Sequence, residues 1–419
     1  MVKPISAEHT RTALFIVGST AQAEMFKPIS DMLLNWNTKA INIDKWHKRE
    51  EIETELERLN FPYRTILSIK SSNIKDILIS EKPDIIVVGH DRDSMDRLFI
   101  KCANSIGIPT LLVQDGILVA SRAKTREIGN LGVSLRYFST LPYRAFRFIL
   151  CSTHSWNQKI EMSALSLKLR GKPGIYGHGE CQKMAVFGNA VKEMLISEGI
   201  APERIVPTGN PKFDQVYRCK NSNNKKHVCD KWNISNDKEI ILLITQYFVE
   251  AKKWNSEQRR RFVTAIASAI AMLPNTKLII KLHPPHENEA DYKEIVKNLP
   301  IDPIVCKYTS LPELLGACSL VITVSSTAAL EAMVLGKPVV IVSLFKNSGG
   351  TSFFKESGSL HVENEQDILP ALQKALFDSQ TRKEMEKSMD KFINEQAYQQ
   401  DGRASERVAN LIRDMVSFK

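Results

Sequence analysis

Short runs of consecutive apolar residues alternate with amphipathic stretches from one end of the chain to the other. Residues 11–17 (RTALFIV), 84–88 (DIIVV) and 110–113 (TLLV) predict strands, with helices over 21–35 and near 94–106 between them. The pattern restarts at 239–245 (EIILLIT), 277–282 (KLIIKL), 320–324 (LVITV) and 338–342 (PVVIV). Apolar runs without polar alternation mean strands covered on both faces, hence parallel sheets flanked by helices. The expectation is an α/β chain of two doubly wound, Rossmann-like domains facing a central cleft. The turn Pro207-Thr208-Gly209-Asn210-Pro211 cannot continue as strand or helix and marks the hinge. The reading is therefore a first domain at 1–207, a second at 208–400, and a helix at 401–419 that crosses back onto the first.

Length agrees, since 419 residues exceed what one hydrophobic core usually supports. No apolar run approaches the roughly 20 residues of a membrane span, and residues 1–10 lack the features of a signal peptide. A cytoplasmic protein is expected. The seven cysteines are scattered without a CxxC pair, which argues against a zinc site or a disulfide framework. The net charge of +10 calls for an anionic partner without naming it.

In doubly wound sheets ligands bind beyond the carboxyl ends of the strands, so chemistry is sought in those loops. In the second half, 277–282 runs into His283-Pro284-Pro285, where an imidazole can donate to or protonate a phosphate. The strand 320–324 runs into Ser325-Ser326-Thr327 before a helix. One hydroxyl serves as an N-cap; three, with the helix dipole, also suit a phosphate. Glu331, one turn on, is placed either to reach ribose hydroxyls or in solvent. Residues 306–315 (CKYTSLPELL) offer backbone groups for a base edge, with Tyr308, Thr309 and Leu311 beside the ring or simply packed. Gln246 and the Gly209-Asn210 turn join this nucleotide-side set.

In the first half Asp115 follows a strand directly and precedes Gly116, either as an ordinary turn or as a general base for an acceptor hydroxyl. Gly18-Ser19 after the first strand and His90-Asp91 after 84–88 would lie beside it. Between 122 and 172 cations such as Arg136, Arg144 and Arg147 are interleaved with Tyr143, Phe146 and Trp156. That mixture suits an anionic membrane surface, a solvated insertion or, last in order, nucleic acid.

Taken together, Gln114-Asp115-Gly116, Thr208-Gly209-Asn210-Pro211, His283-Pro284 and Ser325-Ser326 resemble motifs of bacterial GT-B glycosyltransferases of capsule and surface polysaccharides. In the sialyl-, polysialyl- and Kdo-transferases of that group an acidic-acidic-Gly motif supplies the base, and the His-Pro and Ser-Ser/Thr motifs hold the phosphate of a CMP-sugar. Here the first acidic position is Gln114, so only Asp115 carries over. Teichoic-acid glycerophosphotransferases share the latter two motifs, usually with Gln-His-Gly in place of Gln-Asp-Gly.

A second resemblance is to non-hydrolysing UDP-N-acetylglucosamine 2-epimerases. It rests on Gly18-Ser19-Thr20 through Lys27-Pro28, on Asp91 and Asp115 as acidic positions, and on Ser325 and Glu331 as a phosphate loop. Their His-Arg-Arg-Glu-Asn stretch falls near 246–250, which reads QYFVE here, and their Ser-Gly-Gly is Ser325-Ser326-Thr327. The expectation is accordingly a metal-independent, cofactor-free glycosyltransferase. It would move a sugar from a nucleotide donor (CMP favoured, CDP or UDP as alternatives) to a glycan or lipid-linked acceptor. Asp115 and His283 are its catalytic candidates. The epimerase stands second, and a catalytically silent nucleotide- or glycan-binding protein third.

Overall fold

The computed structural model describes residues 10–43, 49–69, 74–92, 94–118, 176–221, 223–284, 286–297, 299–346 and 351–417. The stretch 122–172, read above as a candidate membrane surface, lies outside them. Among the described residues no helix is long and apolar enough to cross a membrane.

The chain forms two compact units, one of residues 1–211 with 404–419 and the other of 212–403. In the first unit the strands are β1 (Thr12–Val17), β2 (Asn37–Asn42), β3 (Tyr63–Thr65), β4 (Ile85–Val88), β5 (Thr110–Val113), β6 (Lys183–Val186) and β7 (Ile205–Pro207). They make one sheet in the order β3-β2-β1-β4-β5-β6-β7, with every described pairing parallel. The second unit holds β8 (Glu239–Ile244), β9 (Thr276–Lys281), β10 (Ile304–Cys306), β11 (Leu320–Thr323), β12 (Val339–Val342) and β13 (Leu360–Val362). Their order is β10-β9-β8-β11-β12-β13, again parallel.

The central strands β1, β4, β5, β11 and β12 are buried at every position, which is why their sequences carry no polar alternation. Apolar residues on the two faces of the first sheet form separate cores, around Leu14, Ile86 and Leu112 on one side and Phe15, Val87 and Leu111 on the other. Val408, Ala409, Ile412 and Val416 of the helix Ala404–Ser417 belong to the second of these.

In each sheet the strand order reverses once. The reversal lies between β1 and β4 in the first unit and between β8 and β11 in the second. Two crossovers leave such a point in opposite directions, which opens a crevice at the strand ends.

The helix Thr20–Met32 is capped by Ser19, whose hydroxyl accepts from Gln22 N at 3.3 Å. It ends earlier than the periodicity suggests because Leu33 leaves helical geometry and Asn35 takes φ 67°. Gly209 adopts φ 82°, a left-handed conformation that suits glycine, and Pro211 then opens the next helix.

Candidate functional site

At the reversal of the first sheet a single glutamine connects the loops. Gln22, buried in the first turn of its helix, accepts from Gly18 N at 2.7 Å through Oε1. Its Nε2 donates to Asp115 Oδ2 at 2.9 Å. Gly89, at the end of β4, makes room for that path: a Cβ there would stand 2.4 Å from Gln22 Nε2.

Burial pushes the Asp115 carboxyl above its ordinary proton affinity, while His90, the Gln22 hydrogen bond and Arg92 pull it partly back. A carboxyl so placed holds a proton more readily than an exposed one, as a group that must both take and return protons requires.

Asp91 has a different position. It is fully buried, and its carboxylate accepts from Gly177 N at 3.0 Å and Gly179 N at 2.6 Å. Its own carbonyl accepts from Arg97 Nε at 2.6 Å. A Cβ at Gly179 would stand 2.5 Å from Asp91 Cβ, so that turn is fitted closely to the carboxylate. Asp91 therefore anchors residues 176–179 at the carboxyl edge of the sheet instead of presenting its charge to a ligand. His90 Nδ1 lies 3.7 Å from Asp96 Oδ2.

Gly116 is not among the left-handed glycines, and a Cβ on it would meet nothing within 4 Å. The tight-turn argument for this glycine is thus corrected. The bend is held by Gln114, whose Nε2 donates to Gly116 O at 2.7 Å and whose Oε1 accepts from Phe187 N at 2.8 Å.

The reversal of the second sheet is bridged in the same manner. Gln246, just past β8, accepts from Ser325 N at 2.9 Å and donates through Nε2 to Ser325 Oγ at 3.3 Å. Ser326 Oγ accepts from Ala328 N at 3.2 Å and caps the helix Ala328–Val334, while Thr327 stands exposed at its start. The three hydroxyls thus divide their tasks: one is positioned by Gln246, one caps, one faces solvent. Glu331 is buried, so the solvent-exposed alternative for it does not hold.

His283, one strand over, donates from Nδ1 to Pro284 O at 2.6 Å, since a carbonyl can only accept. Its ring lies 4.8 Å from that of Tyr247 and 5.4 Å from that of His286. Beneath it Glu287 is buried and receives three donors: His283 N at 2.7 Å, Thr245 Oγ1 and Tyr292 OH. Burial raises the proton affinity of Glu287, and the hydrogen bonds from Thr245, Tyr292 and His283 oppose it. Arg259 flanks this group, paired with Glu250 at 2.8 Å and Asp291 at 2.6 Å, its guanidinium 5.2 Å from the Tyr292 ring centre.

Other candidates lie apart from these reversals. Gly209 and Asn210 follow β7, the edge strand of the first sheet, and both belong to the first unit. Tyr308, Thr309 and Leu311 follow β10, an edge strand of the second, with Tyr308 82% exposed. Buried Lys281 donates to Lys307 O and so ties that loop to the end of β9.

Gln22, Glu287 and Tyr292 were not singled out from sequence. The one available signal was spacing: Gln22 lies three residues beyond a capping serine, and Glu287 four beyond His283. Among the described residues no group of three or more His, Cys, Asp or Glu side chains is placed to hold a metal ion.

A family model described as UDP-N-acetylglucosamine 2-epimerase matches residues 183–413. No curated protein matched at the level of sequence.

Among solved structures, the UDP-GlcNAc 2-epimerase of Neisseria meningitidis bound to UDP-GlcNAc is 16% identical, with a TM-score of 0.60 over 97% of this chain and 100% of that one. The Methanocaldococcus jannaschii enzyme, in complex with UDP-GlcNAc and UDP, is 16% identical at TM-score 0.59, covering 96% and 99%. A variant of the wall teichoic acid polymerase TagF reaches 0.58 at 10% identity, covering 98% and 89%. At these identities the likeness is one of fold, and it agrees with the two parallel-sheet units.

The family match overturns the expectation of a CMP-sugar glycosyltransferase. The His-Pro and Ser-Ser loops are short, and they sit where any doubly wound unit places its strand-end loops, so they did not discriminate between the two families.

Proposed function

The chain belongs to the UDP-N-acetylglucosamine 2-epimerase family, and from that premise we propose that it inverts C2 of a UDP-linked 2-acetamido sugar. The observation that carries this reading is Asp115, a carboxyl at the reversal of the first sheet, oriented by Gln22 and raised in proton affinity by burial. The second unit takes the UDP moiety. Ser325, oriented by Gln246, Thr327 at the start of the following helix and the His283 imidazole meet the diphosphate. That two relatives of this fold were solved with UDP-GlcNAc supports the nucleotide.

The C2–H bond is too weakly acidic to ionise alone, so its loss is coupled to departure of UDP from C1. Asp115 takes the C2 proton, the C–H electron pair becomes the C1=C2 bond, and the C1–O pair leaves with UDP. Re-addition of UDP to C1, with protonation of C2 from the opposite face, gives the epimer. Donors to the diphosphate lower the barrier because negative charge accumulates there as the C1–O bond breaks.

Residues 246–250 (QYFVE) replace the family's His-Arg-Arg-Glu-Asn stretch. In this reading Gln246 orders Ser325, and His283 with Tyr247 beside it provides the imidazole that the replaced stretch lacks.

The purified full chain incubated with UDP-GlcNAc in D₂O and followed by proton NMR tests this. Appearance of the C2 epimer, with loss of the C2–H signal, is expected. Unchanged substrate with its C2–H intact over many hours would refute it.

A further inference from the structure

The loop after β9 reads His283-Pro284-Pro285-His286, and its two prolines have no N–H to offer an anion. Its donors are therefore the imidazoles. Their rings lie 5.4 Å apart and near-parallel, at an interplanar angle of 24°. Both rest against the ring of Tyr247, His283 at 4.8 Å and His286 at 4.5 Å. Tyr247 is 40% exposed and both histidines are only partly buried, so solvent reaches this wall of three rings. Tyr247 also follows Gln246, which orients Ser325, and the wall therefore stands beside the hydroxyl loop at the reversal of the second sheet.

The hydrogen bond from His283 Nδ1 to Pro284 O fixes a tautomer. A neutral ring with its proton on Nδ1 carries a lone pair at Nε2, and a lone pair repels a phosphate oxygen. Only the imidazolium donates from both nitrogens. Two imidazoliums stacked at 5.4 Å repel each other, and an anion laid against them removes the penalty. The charged groups around the pair have other engagements. Glu287 accepts from His283 N, Thr245 and Tyr292, Arg259 is paired with Glu250 and Asp291, and Lys281 is turned to Lys307 O.

Resting on the UDP reading above, we propose that His286 is a second diphosphate-binding residue, and that it and His283 take the diphosphate together as imidazoliums. Each nucleotide sugar then brings protons into the site. Solvent supplies them, the two rings accept them, and the bound diphosphate holds both rings charged. The anion raises both proton affinities. Binding gained in this way is full below the ordinary histidine value of about 6.5 and fades as pH rises through the higher bound value. During turnover the same pair faces the negative charge that gathers on the departing UDP.

The test is calorimetric titration of the full chain with UDP-GlcNAc, whose diphosphate is esterified at both ends and does not itself titrate near neutrality. Titrations in buffers of low and high ionisation enthalpy count the protons taken up. Uptake of more than one proton per UDP-GlcNAc is expected at about pH 7.5, with affinity rising as pH is lowered from about 8.5 to about 6. His286→Gln should weaken binding about 10-fold at about pH 6 and at most about twofold at about pH 8.5, and should reduce the uptake to less than one proton. A loss that is equal at both pH values marks a merely structural contact with Tyr247 and overturns the assignment, as does a variant with wild-type affinity and uptake. Should the variant fail to fold, the wild type still decides, since uptake of one proton or fewer overturns the pair. Epimerisation without proton uptake on binding refutes this assignment alone. A wild type that binds no UDP-GlcNAc refutes the nucleotide reading itself, and this assignment with it.

Discussion

A carboxyl that must collect a carbon-bound proton needs more basicity than an exposed aspartate has, and Asp115 acquires it by burial. Asp115→Asn keeps the shape of the side chain and cannot accept the proton. Turnover of UDP-GlcNAc should fall about 10²–10⁴-fold while UDP affinity, measured by calorimetry, is unchanged. Activity needs the carboxylate, so kcat/KM should decline as pH falls through an apparent pKa above the ordinary value of about 3.9.

Gln22 gives a second handle on the same group. Its amide donates to the charged form and so lowers the proton affinity. Gln22→Leu removes that donor, and the acid limb should move to higher pH. A limb that stays in place would mean that another group limits the rate.

The elements explain which parts of this were legible in the amino-acid order. The central strands were, because a strand covered on both faces has to be apolar at every position, as in DIIVV, TLLV and LVITV. β3, β7 and β13 are three residues each at or near sheet edges, too short and too exposed to carry a pattern. The loops were found by the rule that ligands sit beyond carboxyl ends, and Asp115, Gln246, His283 and Ser325 stand just past β5, β8, β9 and β11. Their partners were hidden by separation: Gln22 and Asp115 are 93 residues apart, Gln246 and Ser325 79. Which hydrogen bonds form across such a distance depends on strand order, and periodicity does not encode that.

Glu287 is the clearest test at this scale, since it fastens the loop after β9 to Thr245 beyond β8 and to Tyr292. Glu287→Gln turns one acceptor oxygen into a donor facing donors. UDP binding should weaken about 10-fold, as loss of roughly 1.4 kcal/mol implies, with no shift in the Asp115 acid limb. Unaltered UDP affinity would reduce the network to a stabilising role.

At the scale of the whole molecule, the two units respond to different perturbations. Ile412 is completely buried among the apolar side chains of the first unit. Ile412→Ala should lower the stability of that unit by about 2–5 kcal/mol, seen as faster amide exchange in β1 and β4. UDP at 100 times its Kd should instead protect β8 and β11, by about 2.7 kcal/mol. Protection confined to the first sheet would place the nucleotide there and contradict the assignment of Ser325 and His283.

The discontinuity of the first unit has a consequence for its birth on the ribosome. Its opening 211 residues emerge early, yet Val408, Ala409 and Ile412, which cover one face of its sheet, are translated only after all of 212–403. The later unit in sequence is therefore the first that has all its residues, while the core around Phe15, Val87 and Leu111 still lacks the side chains of the last helix. An apolar sheet face left partly open through that interval is a binding surface for a holdase chaperone. The order of synthesis and the order of completion run in opposite directions along this chain.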